Sequence, residues 1–430
     1  MRRRTFLGCM GLGILGLTIP VSLDKNEVLD RSVKFGIDNV DTVVDVLNGR
    51  KVGLMTNKSG VNSGLESSID VLNNHSDVNL RALYGPEHGL GGDVEACEAI
   101  ANGEDSKRKL PVYSLFKEGA NGFSRESVED VDVIAVDIQD IGVRSYTYVT
   151  NLAQALEASI KYGKEVVVLD RPNPLNGNKV EGPILEERFV SEVGYHQTPY
   201  IYGMTFGELA GFFNGEFYNN LADVSVVELK NWKRKMNWVD TGKKWVGTSP
   251  NIPKVESVFV CPTTGPIGEG SYGSEDYGIS EGVGIVENGE RISFEFLGAP
   301  WIDGKKLEEK MKGYGLEGVR FKQEKHVPVF QKYVGRVCDG VRIKVNNMDN
   351  YRPFDTGIYL FCGLRDLFRD RIEFQDYVHQ MAPSGFNLVM GNEYVLDRIR
   401  EGVEPEEIID SWSTDLKSFK GKRKNYLKYE

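Results

Sequence analysis

Apolar residues in the first half of the chain fall in short, nearly unbroken runs. Val52-Gly53-Leu54-Met55, Leu80-Arg81-Ala82-Leu83, Val133-Ile134-Ala135-Val136 and Val166-Val167-Val168-Leu169 each predict a strand buried on both faces. Between them the period changes. Residues 151–162 carry Leu152, Ala155, Leu156, Ser159 and Ile160 on one helical face, and Gly163 ends the run. Thr205-Phe206-Gly207-Glu208 reads as a capping box that opens a further helix, and residues 224–229 read as another strand. Strands alternating with helices predict an α/β fold with a Rossmann-like parallel sheet.

From about Trp245 the pattern is different. Ser249-Pro250-Asn251-Ile252-Pro253 reads as a linker, or as a loop returning to the sheet edge. A Gly-rich stretch, 265–289, follows. Val341, Ile343 and Val345 alternate as a half-buried strand, and residues 356–368, 392–400 and 406–412 are helical in pattern. The expected organisation is an export signal at 1–22, a Rossmann-like catalytic domain at 34–247, and a smaller C-terminal α+β auxiliary domain at 248–430 that closes a cleft.

Each of the four strands runs directly into an unusual polar loop. Parallel strands place such loops on one edge of the sheet, so Asn57, Glu87, His88, Asp137, Gln139, Asp140, Arg144, Asp170, Arg171 and Asn173 are expected to converge. The loop Gly85-Pro86-Glu87-His88-Gly89-Leu90-Gly91-Gly92 is the sharpest of them, because it sets an acid and an imidazole side by side where regular structure is impossible.

Composition narrows the partners. The 430-residue chain has a net charge of −11 and no basic run with interleaved aromatics, which disfavours nucleic acid. Arg3-Arg4-Thr5-Phe6-Leu7 resembles a twin-arginine export motif. The uncharged stretch 8–19 after it is short for a membrane span, and no Ala-x-Ala cleavage site follows. The expected location is therefore extracytoplasmic, with no membrane partner beyond a possible uncleaved N-terminal anchor. Cys97, Cys261, Cys338 and Cys362 are scattered and form no Cys-x-x-Cys pair. Two nominal Gly-x-Gly-x-x-Gly runs, from Gly11 and from Gly268, follow no strand, and no Gly-x-Ser-x-Gly elbow exists. No cofactor is implied.

Glu87, desolvated in its loop, suits a general acid, and Asp137, with Asp140 and Asp170 as alternatives, offers the second carboxylate that glycoside hydrolysis usually needs. The structural reading of those aspartates is about as strong: each could cap a turn or pair with Arg144 or Arg171. Those arginines could instead clamp a substrate carboxylate. His88 could orient Glu87, and Tyr146 and Tyr148 could stack on a sugar ring or belong to the core. Asn251 and Glu269 are further candidates for substrate binding. Glu87, His88, Asp137 and Asp140 could hold an ion, but no second histidine lies at ligand spacing, so no metal is expected.

Taken together, several stretches resemble the exo-β-N-acetylmuramidase family of NamZ-like peptidoglycan hexosaminidases. They include Gly53-Leu54-Met55-Thr56-Asn57, Gly85-Pro86-Glu87-His88-Gly89, the run from Asp137 to Tyr148, Leu169-Asp170-Arg171-Pro172-Asn173-Pro174, Gly203-Met204-Thr205-Phe206-Gly207-Glu208 and Gly298-Ala299-Pro300-Trp301. The resemblance implies a Rossmann-like domain with an auxiliary domain, a site in the cleft between them, release of terminal N-acetylmuramic acid from cell-wall fragments, and Glu87 as the catalytic acid. It also implies that Arg144 or Arg171 meets the lactyl carboxylate of the sugar. This chain departs from the family pattern at Gly91, where arginine is usual, at Tyr202, where histidine is usual, and in the stretch 274–285, which lacks an arginine. A saccharide-binding protein that keeps the cleft without the chemistry is the alternative, and a metal-dependent hydrolase is a weaker one.

Overall fold

All four apolar runs form strands of one sheet in the computed structural model, which describes residues 31–117, 121–269, 286–287, 289–329, 332–372 and 385–430. The expected export segment 1–22 lies outside the described residues, as does the stretch 274–285. The strands are β1 (Lys51–Thr56), β2 (Asn79–Gly85), β3 (Gly103–Asp105), β4 (Leu110–Ser114), β5 (Val133–Asp137), β6 (Glu165–Leu169), β7 (Glu181–Ile184), β8 (Pro199–Ile201) and β9 (Val224–Val227). The sheet runs β3-β4-β2-β1-β5-β6-β9, parallel throughout except for the β3 edge. β7 and β8 form a separate antiparallel pair.

Pleating explains why these strands are apolar at every position. Val52 and Leu54, Val133 and Ala135, and Val167 and Leu169 feed one core. Their neighbours Met55, Ile134, Val136, Val166 and Val168 feed the other. The first core is covered by α1 (Val40–Leu47) and α2 (Ser68–Asn73) through Val43, Leu47, Ile69 and Leu72. Besides the short α3 (Arg125–Val128), the second is covered by α4 (Thr147–Tyr162) and α5 (Phe206–Phe217). Gly163 ends α4 in the left-handed conformation, and the expected capping box opens α5, Thr205 accepting from the Glu208 N–H.

The chain order fixes where loops meet. From β1 the chain passes outward to β2 and β4, then returns to β5, β6 and β9 on the other side. The direction reverses between β1 and β5, whose last residues Thr56 and Asp137 pair in register. Loops part at such a point and leave a crevice at the carboxyl edge.

The second half adds a three-stranded antiparallel sheet, Phe296–Ala299, Cys338–Val345 and Val319–His326 in that order, with helices that include Gly304–Gly313, Pro353–Phe368, Tyr394–Glu401, Pro405–Asp410 and Ser413–Arg423. One core runs unbroken from the parallel sheet through these helices, joining Val136 to Phe354, Leu396 and Phe419. Sequence reading differs from the structure most at α6 (Val255–Glu269), a helix that begins just after the expected linker 249–253 and runs into the expected Gly-rich stretch 265–289. From Ser257 to Ile267 it is buried at every position, so that stretch has no polar face to give a helical period, and Pro262 and Pro266 lie inside it. Among the described residues no helix is long and apolar enough to cross a membrane.

Candidate active site

Glu87 lies on the loop that follows β2, 8 % exposed. Both carboxylate oxygens are held: Oε1 accepts from the Cys97 N–H at 2.9 Å, and Oε2 from Thr147 Oγ1 at 2.7 Å. Thr147 is the first residue of α4, so a helix fixes the acid from one side and its own loop from the other. The loop is bent to do this. His88 and Cys97 both take positive φ, 71° and 65°, a region that costs a residue with a Cβ. His88 is buried, and its Nδ1 donates to the Val94 carbonyl at 2.8 Å, which leaves Nε2 as an acceptor in the neutral ring.

Glu87 and His88 open on a cavity of about 370 Å³. That volume lies at the small end of ligand pockets and suits a sugar-sized guest. Its wall is mostly apolar, from residues such as Phe116, Ile141, Val143, Phe294 and Leu388. Tyr146 and Asn251 also line it, as do Asn121, Ser145, Thr147, Glu192 and Ser249, which sequence reading did not single out. Tyr146 donates to Thr248 Oγ1 at 2.6 Å, and burial pushes its phenol above the usual range. Glu192 is the other carboxylate in the lining among the described residues. It sits in the Ser191–Gly194 turn, and its carbonyl accepts from Thr150 Oγ1 of α4 at 2.8 Å. Thr147 lay inside a quoted motif and could have been read as a helix start. Nothing in the sequence marks Glu192 beyond a turn glycine.

Most of the remaining candidates are buried and do not line this cavity; Gln139 and Arg171 instead line a separate one of about 190 Å³. Asp137 is fully buried, and Arg171 grips both its oxygens, Nε at 2.6 Å and Nη2 at 2.9 Å. Arg171 also donates to the Val61 carbonyl at 2.7 Å and lies over the Phe35 ring. This is the internal ion pair, and neither member reaches the lining of the Glu87 cavity. Arg144 is fully buried, and among the described residues no carboxylate is bonded to it. Its Nη1 donates to the Pro183 and Thr198 carbonyls at 3.0 and 2.7 Å, its Nη2 to those of Val389 and Met390 at 2.9 Å each. Burial brings its pKa down to about 10. Neither arginine lines the Glu87 cavity, so neither meets a substrate carboxylate held there.

Asp170 caps α5. Its Oδ1 accepts from the Arg171 and Gly207 N–H groups, and its Oδ2 from Thr205 Oγ1 at 2.8 Å and Tyr429 Oη at 2.6 Å. Asp140 accepts from the Gly142 N–H at 2.6 Å and from the Tyr202 hydroxyl. Burial pushes both aspartates up to about 6. Asn57 donates to Tyr148 Oη at 2.7 Å and to the Thr248 carbonyl at 3.1 Å. Gln139 donates to the Asp140 and Pro172 carbonyls, and Asn173 to that of Met204. These bonds hold loops together, while Gln139 Oε1 and Asp140 Oδ1 have no hydrogen-bond partner among the described residues. Asn251 accepts from Arg291 at 3.0 Å at the cavity rim. Glu269 ends α6, and its side chain lies outside the described residues. Among the described residues no group of three or more His, Cys, Asp or Glu side chains is arranged to hold a metal ion.

The family description "Exo-beta-N-acetylmuramidase NamZ, N-terminal" matches residues 52–256, and "Exo-beta-N-acetylmuramidase NamZ, C-terminal" matches 273–429. The chain is 39 % identical to the peptidoglycan beta-N-acetylmuramidase NamZ of Bacillus subtilis (strain 168) over 434 residues, with all of both chains covered. A crystal structure of a DUF1343 family protein from Bacteroides fragilis NCTC 9343 superposes with a TM-score of 0.81 at 35 % identity, covering 93 % of this chain and 99 % of that one. A second DUF1343 protein from the same organism gives 0.69 at 26 % identity, with the same coverage. The fold, the order of the loops and these likenesses agree: the chain belongs to the exo-β-N-acetylmuramidase NamZ family.

Proposed function

We propose that this protein is an exo-acting glycoside hydrolase that releases terminal N-acetylmuramic acid, or a closely related amino sugar, from peptidoglycan fragments, with Glu87 as general acid. The observation that carries the reading is the fixing of Glu87. A buried carboxylate is locked by a backbone N–H and the Thr147 hydroxyl at the wall of a sugar-sized apolar cavity. Preorganisation of this kind removes the cost of orienting the acid when the leaving oxygen takes the proton. Residues from both halves of the sequence line the cavity, which supports a site shared by the domains proposed at 34–247 and 248–430. A cell-wall substrate is consistent with export through the proposed signal at 1–22.

The test is turnover of a chromogenic N-acetylmuraminide by the unaltered protein, Glu87→Gln and Glu192→Gln. Glu87→Gln should stay folded by circular dichroism and lose at least about 100-fold in kcat. Glu192→Gln reports whether the second carboxylate of the cavity is needed. Saccharide binding without turnover in the unaltered protein, at any pH, would establish the binding-protein alternative instead.

A further inference from the structure

Muramic acid carries a carboxylate, yet the two arginines expected to meet it are occupied, Arg171 by Asp137 and Arg144 by four carbonyls. Among the described residues, no lysine or arginine lines the Glu87 cavity. Beside it lies a second hollow of about 460 Å³, bounded by Lys58, Gly92, Asp93, Glu95, Lys254 and Arg291. Ser249 lines both spaces, and Arg291 of the hollow donates to Asn251 of the cavity at 3.0 Å, so the Ser249-Pro250-Asn251 turn forms the rim between them.

The three cations of the hollow are not equivalent. Arg291 pairs with Glu95 at 2.6 Å, and Lys254 with Glu295 at 2.8 Å. Lys58 is exposed, and its ammonium donates to a neutral acceptor, the Gly92 carbonyl, at 2.8 Å. Among the described residues it forms no ion pair; Asp93 acts on it only as a nearby charge. An ammonium has three donors, so two remain for a guest. The loop is shaped around this side chain. Gly92 has φ +59°, and a Cβ there would stand 2.9 Å from Lys58 Cε. Pro253 and Lys254 also line the hollow just ahead of Val255, the first residue of α6, which adds the positive end of a 15-residue helix.

We infer, resting on the glycosidase reading above, that this hollow is a subsite for a carboxylate of the saccharide substrate and that Lys58 is its contact. Two sources share this chemistry: the lactyl group of the sugar held in the Glu87 cavity, and an acid group beyond the scissile bond. Charge-assisted contact at an exposed ammonium gives selection rather than chemistry, so the effect belongs in KM.

The experiment compares the unaltered protein with Lys58→Ala and Lys58→Glu on three probes. These are 4-nitrophenyl N-acetyl-β-muraminide, the matching N-acetyl-β-glucosaminide, and a disaccharide whose carboxylate lies on the leaving residue alone. For the lactyl source, the muraminide KM rises about tenfold in Lys58→Ala and further in Lys58→Glu, kcat and the glucosaminide KM hold, and added salt narrows the gap. A rise confined to the disaccharide places the carboxylate beyond the bond. Equal changes on probes with and without a carboxylate, or no change at all, overturn the proposal. If the unaltered protein cleaves none of them, calorimetric binding of N-acetylmuramic acid against N-acetylglucosamine makes the same comparison. A preference that depends on Lys58 then keeps the subsite while the hydrolase reading falls, and no preference removes both.

Discussion

Thr147 Oγ1 donates to Glu87 Oε2 at 2.7 Å, from the first turn of α4 to the loop after β2. The bond ties an acid on a bent loop to the most deeply packed helix of the parallel-sheet half. Thr147→Val removes the donor while keeping the shape. The expected result is a fall of about tenfold in kcat with KM little changed, and recovery in Thr147→Ser. Steady-state kinetics on a chromogenic muraminide checks it; an unchanged kcat in the valine variant shows that the acid needs no such anchor.

Arg144 joins segments distant in sequence: the β7–β8 pair through Pro183 and Thr198, and the C-terminal half through Val389 and Met390. Val389 lines the cavity. Arg144→Ala leaves four carbonyls without that donor in a buried place, and a loss of roughly 3–5 kcal/mol in unfolding free energy is expected. Lysine cannot reproduce the fork, so Arg144→Lys should recover only a part. Urea denaturation gives the measurement.

The Asp137–Arg171 pair is buried on both sides, with side-chain exposures of 0 % and 2 %. Arg171→Met strands a carboxylate and is expected to cost roughly 3–5 kcal/mol; the double variant Arg171→Met with Asp137→Leu is expected to be the more stable of the two. Under the structural role, Asp137→Asn loses stability and keeps kcat per folded molecule. A large drop in kcat in a well-folded Asp137→Asn protein would restore Asp137 to the chemistry.

Asp170 supplies a pH signature. Burial raises its folded pKa from the ordinary 3.8 to about 6, so the folded state holds this proton more tightly than the unfolded chain does. Stability from this group therefore falls as pH rises from about 4 to about 6, then levels off. Tyr429 Oη donates to Asp170 at 2.6 Å and favours the ionised form. Tyr429→Phe should extend the fall to higher pH, its lower end staying near 4, and lower the melting temperature at neutral pH, corresponding to about 1–3 kcal/mol. Melting curves from pH 4 to pH 8 separate the two proteins; parallel curves would show that Tyr429 does not tune Asp170.

The parallel sheet, its strand ends, α4, the capping box of α5 and the loop around Glu87 were legible in the sequence, because each rests on local physics: period, glycine, a capping side chain. Convergence of the polar loops on one edge also followed, since parallel strands allow no other arrangement. The division of labour among those polar residues was decided only in three dimensions. Asp137, Arg144, Asp170 and Arg171 have the same side-chain chemistry whether they face a guest or each other. Partners 34 residues apart for Asp137 and 259 for Asp170 settled the matter, because a buried charge must be paired or hydrogen-bonded before it can serve anything else. Glu192 and Lys58 were missed for the converse reason. They stand in no motif, and only the packing of distant loops gives them a cavity to face.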